Sequence, residues 1–280
     1  MLKSLLASAR RHHLARTHLF VTPNATKRRN RLWANGSMEA DVLVYDFQDG
    51  CPPKDYPHVM DGLGKAHDVY PNKELTVRVT ELERDDGSRI HNEIKAGILQ
   101  SQVHWFMLPM CDTVQDVEEY INIINDIDPS WLVHHGALQI ICETPKCLHN
   151  LHDILDSVPQ IAGVIAGGAD YFRFAQGTYK SLLPQLRWDV LNACLCHGRF
   201  PIDAPPLSLS SDENDDEFGW QIQSAVESGF RSVVILHPEQ AEIANRKFSP
   251  LENDVASAKV HVPHWLETRE TGYKRGSGNG

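Results

Sequence analysis

At 280 residues, 41% of them hydrophobic, the chain is long enough to fill one large core, and its default organisation is a single domain. A formal charge of −10 argues against nucleic acid as a partner, which would call for a basic face, and no apolar run approaches the roughly 20 residues that cross a bilayer. What remains is a soluble, cytoplasmic protein with a small-molecule site. Its six scattered cysteines lack paired CxxC spacing and read as reduced thiols.

From the N-terminus, the first 38 residues hold eight Lys or Arg and no acid, which is the charge pattern of a transit peptide or of a solvated basic helix. The helix is the better reading, because RTHLFVT (16–22) already looks like a core strand. Lys27, Arg28, Arg29 and Arg31 follow it and could meet a nucleotide phosphate or simply face water.

Further on, short apolar, β-branched runs alternate with helix-like segments. The runs are HLFVT (18–22), DVLVYDF (41–47), LTVRV (75–79), HWFMLP (104–109), ALQIIC (137–142), AGVIAGG (162–168), GRFPID (198–203) and RSVVIL (231–236). Eight such repeats predict a closed (β/α)8 barrel, a TIM barrel with a parallel sheet and outer helices, over residues 1–250. Residues 251–280 form a short or partly flexible extension ending in GSGNG. Between the runs, 113–127 spaces Val114, Val117, Tyr120, Ile121 and Ile124 as one helical face, with Thr113 as N-cap, and 150–158 repeats the pattern more briefly. The polar stretch SLSSDENDDEF (208–218) reads as a loop or a capped helix entry. CLCH (194–197) fits a helix passing the core better than a soft-metal site, since no second ligand pair follows.

A barrel of this kind builds its active site at the C-terminal strand ends. There the chain places Asp46, Gln48 and Asp49 after strand two, Arg78 in strand three, Glu143 after strand five, Asp170 after strand six and His237 after strand eight. Glu81 and Asp203 are further rim candidates that could equally be turn residues. Glu143 and Asp170, on successive strand ends, would repel one another unless a divalent cation lies between them. A hard cation held by few carboxylates plus water and substrate oxygens is the usual Mg2+ arrangement. The plainer alternative is that each acid caps a helix or pairs with an arginine. Gly167 and Gly168 would let backbone amides approach a substrate carboxylate.

The ordered motifs VYDFQDGCPP (44–53), VRVTE (77–81), MLPMCDT (107–113), ICETPKC (141–147), AGGADYF (166–172), PIDAP (201–205) and LHPEQAEIANRKFSP (236–250) together resemble the citrate lyase beta subunit and malyl-CoA lyase family, the HpcH/HpaI aldolase group. The resemblance spans roughly residues 16–250. It implies a TIM barrel assembled as trimers or hexamers, acting as a lyase or aldolase that makes or breaks a carbon–carbon bond with Mg2+ through an enolate. The substrate would be a small carboxylate or CoA thioester. By position, Glu143 and Asp170 correspond to the metal ligands and Arg78 to the catalytic arginine holding a substrate oxygen. Asp46, Asp49, Gly168 and Ala169 complete the expected substrate-binding set.

Two departures stand out. Gln48 replaces an acid of the family's Asp-Leu-Glu-Asp signature, and Met110 replaces a lysine after strand four. The family's acidic C-terminal lid has no clear counterpart, with Glu267 and Glu270 as substitutes. These departures motivate an alternative in which the barrel has lost catalysis and serves as a binding or assembly subunit. A third reading is a biosynthetic enzyme of the same superfamily using pyruvate or phosphoenolpyruvate.

Overall fold

The structure is a computed structural model that describes residues 15–21, 39–100 and 102–272, with side chains described as far as residue 263. The expectations for Lys27, Arg28, Arg29 and Arg31, for the rest of the basic N-terminal stretch, for the side chains of Glu267 and Glu270 and for the GSGNG tail lie outside the described residues.

Eight parallel strands form one sheet: β1 (Thr17–Val21), β2 (Val42–Asp46), β3 (Glu74–Arg78), β4 (Trp105–Leu108), β5 (Ala137–Cys142), β6 (Ile161–Ala166), β7 (Phe200–Ile202) and β8 (Val233–Ile235). The hydrogen-bonded order runs β7-β6-β5-β4-β3-β2-β1-β8. A parallel bridge between Asp203 and Val233 joins the two ends, so the predicted barrel is what forms. Each strand is short and apolar because both of its faces are covered, one by the barrel interior and one by helices.

Alternation divides those faces. Val42, Val44, Trp105, Met107, Ile141, Ile165, Phe200 and Val234 pack together inside the barrel. Their neighbours Leu43, Val77, Phe106, Ile140, Val164 and Ile235 pack outward against the helices. The interior is a filled core: Trp105 meets Phe200 edge-on at 5.5 Å, and a Cβ on Gly163 would lie 2.6 Å from the Phe200 ring. Glycine at 163 therefore makes room for an aromatic side chain on the next strand.

The outer layer contains α1 (Tyr56–Val69), α2 (Arg89–Leu99), α3 (Val114–Ile127), the short α4 (Trp131–His134), α5 (Pro145–Ser157), α6 (Gly168–Ala175), α7 (Tyr179–His197), α8 (Phe218–Ser228) and α9 (Gln240–Phe248), followed by α10 (Glu252–Gly272). Thr113 caps α3 as expected, in a reciprocal box with Asp116. α5 begins five residues before the predicted 150–158 segment, because Thr144 caps it and Pro145 supplies a preset first turn. The 208–218 stretch is a loop that hands over to α8, whose first amide, at Phe218, donates to Asp215 at 2.7 Å. Cys194 is buried in α7 and Cys196 is exposed. Among the described residues no group of three or more His, Cys, Asp or Glu is arranged to hold a metal, so the metal reading of CLCH gains nothing. Among the described residues no helix is long and apolar enough to cross a membrane.

Candidate active site at the C-terminal mouth of the barrel

The C-terminal strand ends surround a cavity of about 390 Å³. Its polar wall is formed by Asp46, Asp49, Arg78, Glu143 and Asp170, with Gly167, Gly168 and Ala169 beside them. Every residue proposed from the sequence as metal ligand, catalytic arginine or substrate contact thus faces one space.

Arg78 is the centre of the polar wall. It is the last residue of β3, in register with Asp46 at the end of β2. Its Nε donates to Asp46 Oδ1 at 2.7 Å and its Nη2 to Oδ2 at 2.6 Å, a side-on bidentate pair almost closed to water. The guanidinium lies over the Phe20 ring, 4.5 Å from its centroid. Burial alone would lower the Arg78 pKa, but the charge and hydrogen bonds of Asp46 outweigh it and hold the group above its ordinary value. Arg78 is therefore a fixed cation. Its Nη1 makes no hydrogen bond among the described residues and stands 3.7 Å from Asp49.

Asp46 is held in turn by the chain that follows it. Its two oxygens accept from the amides of Gln48 (3.0 Å) and Gly50 (2.8 Å), which wraps the β2 exit loop around one carboxylate. Asp49, half exposed, lies between Arg78 and Arg84 at 3.7 Å from each. Arg84 also pairs with Glu81, and Glu81 accepts from Gln48 Nε2 at 3.1 Å. The loops after β2 and β3 are thereby tied into one charged network. Glu81 and Gln48 belong to that network and do not line the cavity.

Glu143 follows β5 directly and precedes the N-cap of α5, so the strand end and the helix start fix its backbone. Gly167 completes the fit: a Cβ there would lie 2.6 Å from the Glu143 Cβ. That glycine makes space for the root of the Glu143 side chain, and its own amide, which the sequence suggested as a donor to substrate, donates to the Cys142 carbonyl at 2.9 Å. The Met110 amide donates to Glu143 Oε1 at 2.8 Å, and no described group donates to Oε2. Met110 adopts the left-handed region (φ 52°). Because the bond to Glu143 comes from the main chain, the loss of a lysine side chain at this position leaves it intact. Burial raises the Glu143 carboxyl to about 7, with Asp170 and Asp49 adding to the effect and the Met110 amide and Arg78 opposing it.

Asp170 lies in the first turn of α6, where an acid suits the helix dipole. Its side chain is 31% exposed and accepts from Arg173 at 3.1 Å. Glu143 and Asp170 thus supply carboxylate oxygens to one cavity and repel one another. Oxygen donors of this kind fit a hard divalent cation that keeps water or substrate oxygens in its shell.

Two rim candidates fall elsewhere. Asp203 is fully buried and faces the helices, receiving Arg187 Nε at 2.8 Å and Nη2 at 2.6 Å. Phe200 and Ile202 point into the barrel, so the next residue points out. His237 sits at the β8 exit against Glu239 and is not part of the cavity wall. Conversely, Phe20, Pro205, Leu209 and Leu236 line the cavity and were not singled out from the sequence. For Phe20 the period-2 alternation of β1 carried the signal. For Pro205 and Leu209, both in a loop, no pattern did.

The comparisons bear on family and fold. The chain is 23% identical over 263 residues to the citrate lyase subunit beta of Haemophilus influenzae, covering 88% of each chain. It is 24% identical over 244 residues to the L-malyl-CoA/beta-methylmalyl-CoA lyase of Rhodobacter capsulatus, covering 79% of this chain and 75% of that one. Its fold matches the crystal structure of protein CitE from Mycobacterium tuberculosis in complex with magnesium and pyruvate, with a TM-score of 0.64, 20% identity and coverage of 84% and 91%. A sequence model of one family, described as HpcH/HpaI aldolase/citrate lyase, matches residues 16–238, and the chain belongs to that family.

Proposed function

We propose that the protein is a Mg2+-dependent lyase or aldolase that breaks or forms the carbon–carbon bond beside a carbonyl in a small carboxylate or CoA-thioester substrate. The observation that carries this reading is the convergence of Glu143, Asp170 and the fixed cation Arg78 on one cavity. The relatives support it, since they are named for lyases of such substrates and a solved neighbour holds magnesium and pyruvate.

Glu143 and Asp170 would hold the metal. When bound, it supplies positive charge against the oxyanion that develops as the bond breaks. Arg78 adds a second positive charge without reorganising, because Asp46 and Phe20 already fix its plane. Its side-on edge is taken by Asp46, so the substrate oxygen meets the end-on edge, led by Nη1. The apolar remainder of the cavity excludes water and strengthens both interactions. Asp49 and Asp46 set the orientation of Arg78, and the chain turn at Gly168 and Ala169 bounds the space available to the substrate. The family resemblance further implies that the chain would act as an assembly of identical subunits.

The test is cleavage of hydroxyacyl-CoA thioesters and hydroxy-oxo acids by the purified protein. Activity that needs added Mg2+, disappears with EDTA and is lost in folded Glu143→Gln and Asp170→Asn variants is the expected result. Full activity in EDTA, or in either variant, would overturn the proposal. A protein that binds no Mg2+ and cleaves none of these substrates would favour the assembly-subunit reading.

A further inference from the structure

The cavity has a second, apolar wall that the chemistry of bond cleavage does not require. Ile165 and Val234 rise from β6 and β8, Leu236 follows β8 directly, and Pro205 and Leu209 lean in from the loop after β7. Leu209 is 60% exposed even though it lines the cavity. A mobile loop would turn such a side chain away from water. Here Gln240 prevents that. Fully buried, it donates from Nε2 to the carbonyls of Ser208 (3.0 Å) and Ser210 (2.9 Å), on either side of Leu209. Its Oε1 accepts from the amides of Leu236 (3.1 Å) and His237 (3.0 Å). One side chain therefore locks the β7 and β8 exits together and holds Leu209 at the mouth.

The charges point the same way. Among the described lining residues there are four acids and one cation, Arg78, already paired with Asp46. Among the described residues, the two cations that pair with lining acids from outside the cavity are also taken: Arg84 by Glu81 and Asp49, and Arg173 by Asp170. A divalent cation would offset two of the acids and leave, among the described residues, no unpaired positive charge for a second substrate carboxylate.

We propose that the substrate carries one anionic group at its reacting end and an alkyl or aryl arm that lies against Leu209, Pro205 and Leu236, so that a di- or tricarboxylate is disfavoured within the cavity. This deepens the lyase reading and rests on it. Calorimetric titration of the full chain in Mg2+ with pyruvate, 4-methyl-2-oxopentanoate and 2-oxoglutarate tests it. These acids share one head and differ in having no arm, an apolar arm and an acid arm. The expected order is 4-methyl-2-oxopentanoate about tenfold tighter than pyruvate, for a few carbons partly buried, and 2-oxoglutarate weaker than pyruvate. Leu209→Ala should cut the tenfold advantage to about threefold, whereas Leu251→Ala, outside the cavity, should keep it. Mg2+-dependent binding with 2-oxoglutarate the tightest, or an arm preference untouched by Leu209→Ala, overturns this proposal alone. Absence of Mg2+-dependent binding for all three acids overturns the lyase reading with it.

Discussion

Arg78 meets Asp46 along its side-on edge, with both hydrogen bonds under 2.8 Å, at 2.7 and 2.6 Å, and both partners buried. The pair joins the ends of two adjacent strands and turns a flexible side chain into a fixed one. A lysine at this position keeps the charge but cannot span both oxygens or stack on Phe20. Arg78→Lys should therefore remain folded by circular dichroism while kcat/KM falls by about a hundredfold or more, the scale of losing one oxyanion donor. Arg78→Ala is the harsher change, because it leaves Asp46 buried without its cation at a cost of about 3–5 kcal/mol.

Buried strands and their spacing were legible in the sequence because a parallel barrel forces short, continuous apolar runs at regular intervals. Glu143 was legible for the same reason: a charge directly after ALQIIC has to be used. Asp203 misled because β7 has only three residues, too few to fix which way the next side chain points, and a one-residue step reverses the face. Gly167 and Met110 act through a missing Cβ and a main-chain amide, and neither role is written in the residue's own chemistry. The wall formed by Pro205 and Leu209 depends on Gln240 reaching across from another loop, a contact that no local pattern announces.

The Asp203–Arg187 pair makes its own prediction. Arg187 also donates to Ser224 Oγ at 2.9 Å and to the Gln221 carbonyl at 3.0 Å, so one guanidinium ties the β7 exit to α7 and α8. Asp203→Ala would strand that cation in a site closed to water. The expected loss is about 3–5 kcal/mol, read as a lower midpoint in urea unfolding. An unchanged midpoint would mean that the pair contributes nothing beyond its own burial.

Gln48 is the residue at which this chain departs from the acid of the family signature, and its neighbour explains why an amide suits it. Its Nε2 donates to Glu81, whose carboxylate is nearly buried. Gln48→Glu would set two carboxylates in contact, where only a shared proton or the withdrawal of Arg84 from Asp49 relieves the repulsion. The variant should lose about 1–2 kcal/mol at pH 8, and less at pH 5, where one of the two acids can be protonated. Thermal melts at the two pH values give the comparison. A variant more stable than the parent at pH 8 would show that the amide is no accommodation to Glu81.

Glu93 gives the clearest pH signature. It is fully buried on α2, behind the loop that follows β3. The Thr80 amide and hydroxyl each donate to it at 2.7 Å, and Tyr120 donates to the Thr80 carbonyl at 3.0 Å. Burial raises its carboxyl to about 8, against the opposing pull of the Thr80 hydrogen bonds. The folded state therefore keeps a proton that the unfolded chain releases near its ordinary value of 4.5. Since the folded form binds more protons between these values, the stabilisation is complete below pH 4.5, declines as pH rises and is gone once pH passes about 8. Glu93→Gln removes the titration and keeps the shape. The amide oxygen can accept from the Thr80 amide while the amide nitrogen donates to the Thr80 hydroxyl, which then donates to the Phe47 carbonyl, already 3.3 Å away. The parent's Tm should fall between pH 5.5 and pH 8.5, and the fall in Glu93→Gln should be visibly smaller, with the variant the more stable protein at the alkaline end. Parallel Tm curves for the two proteins would place the Glu93 titration outside this range and remove the assignment.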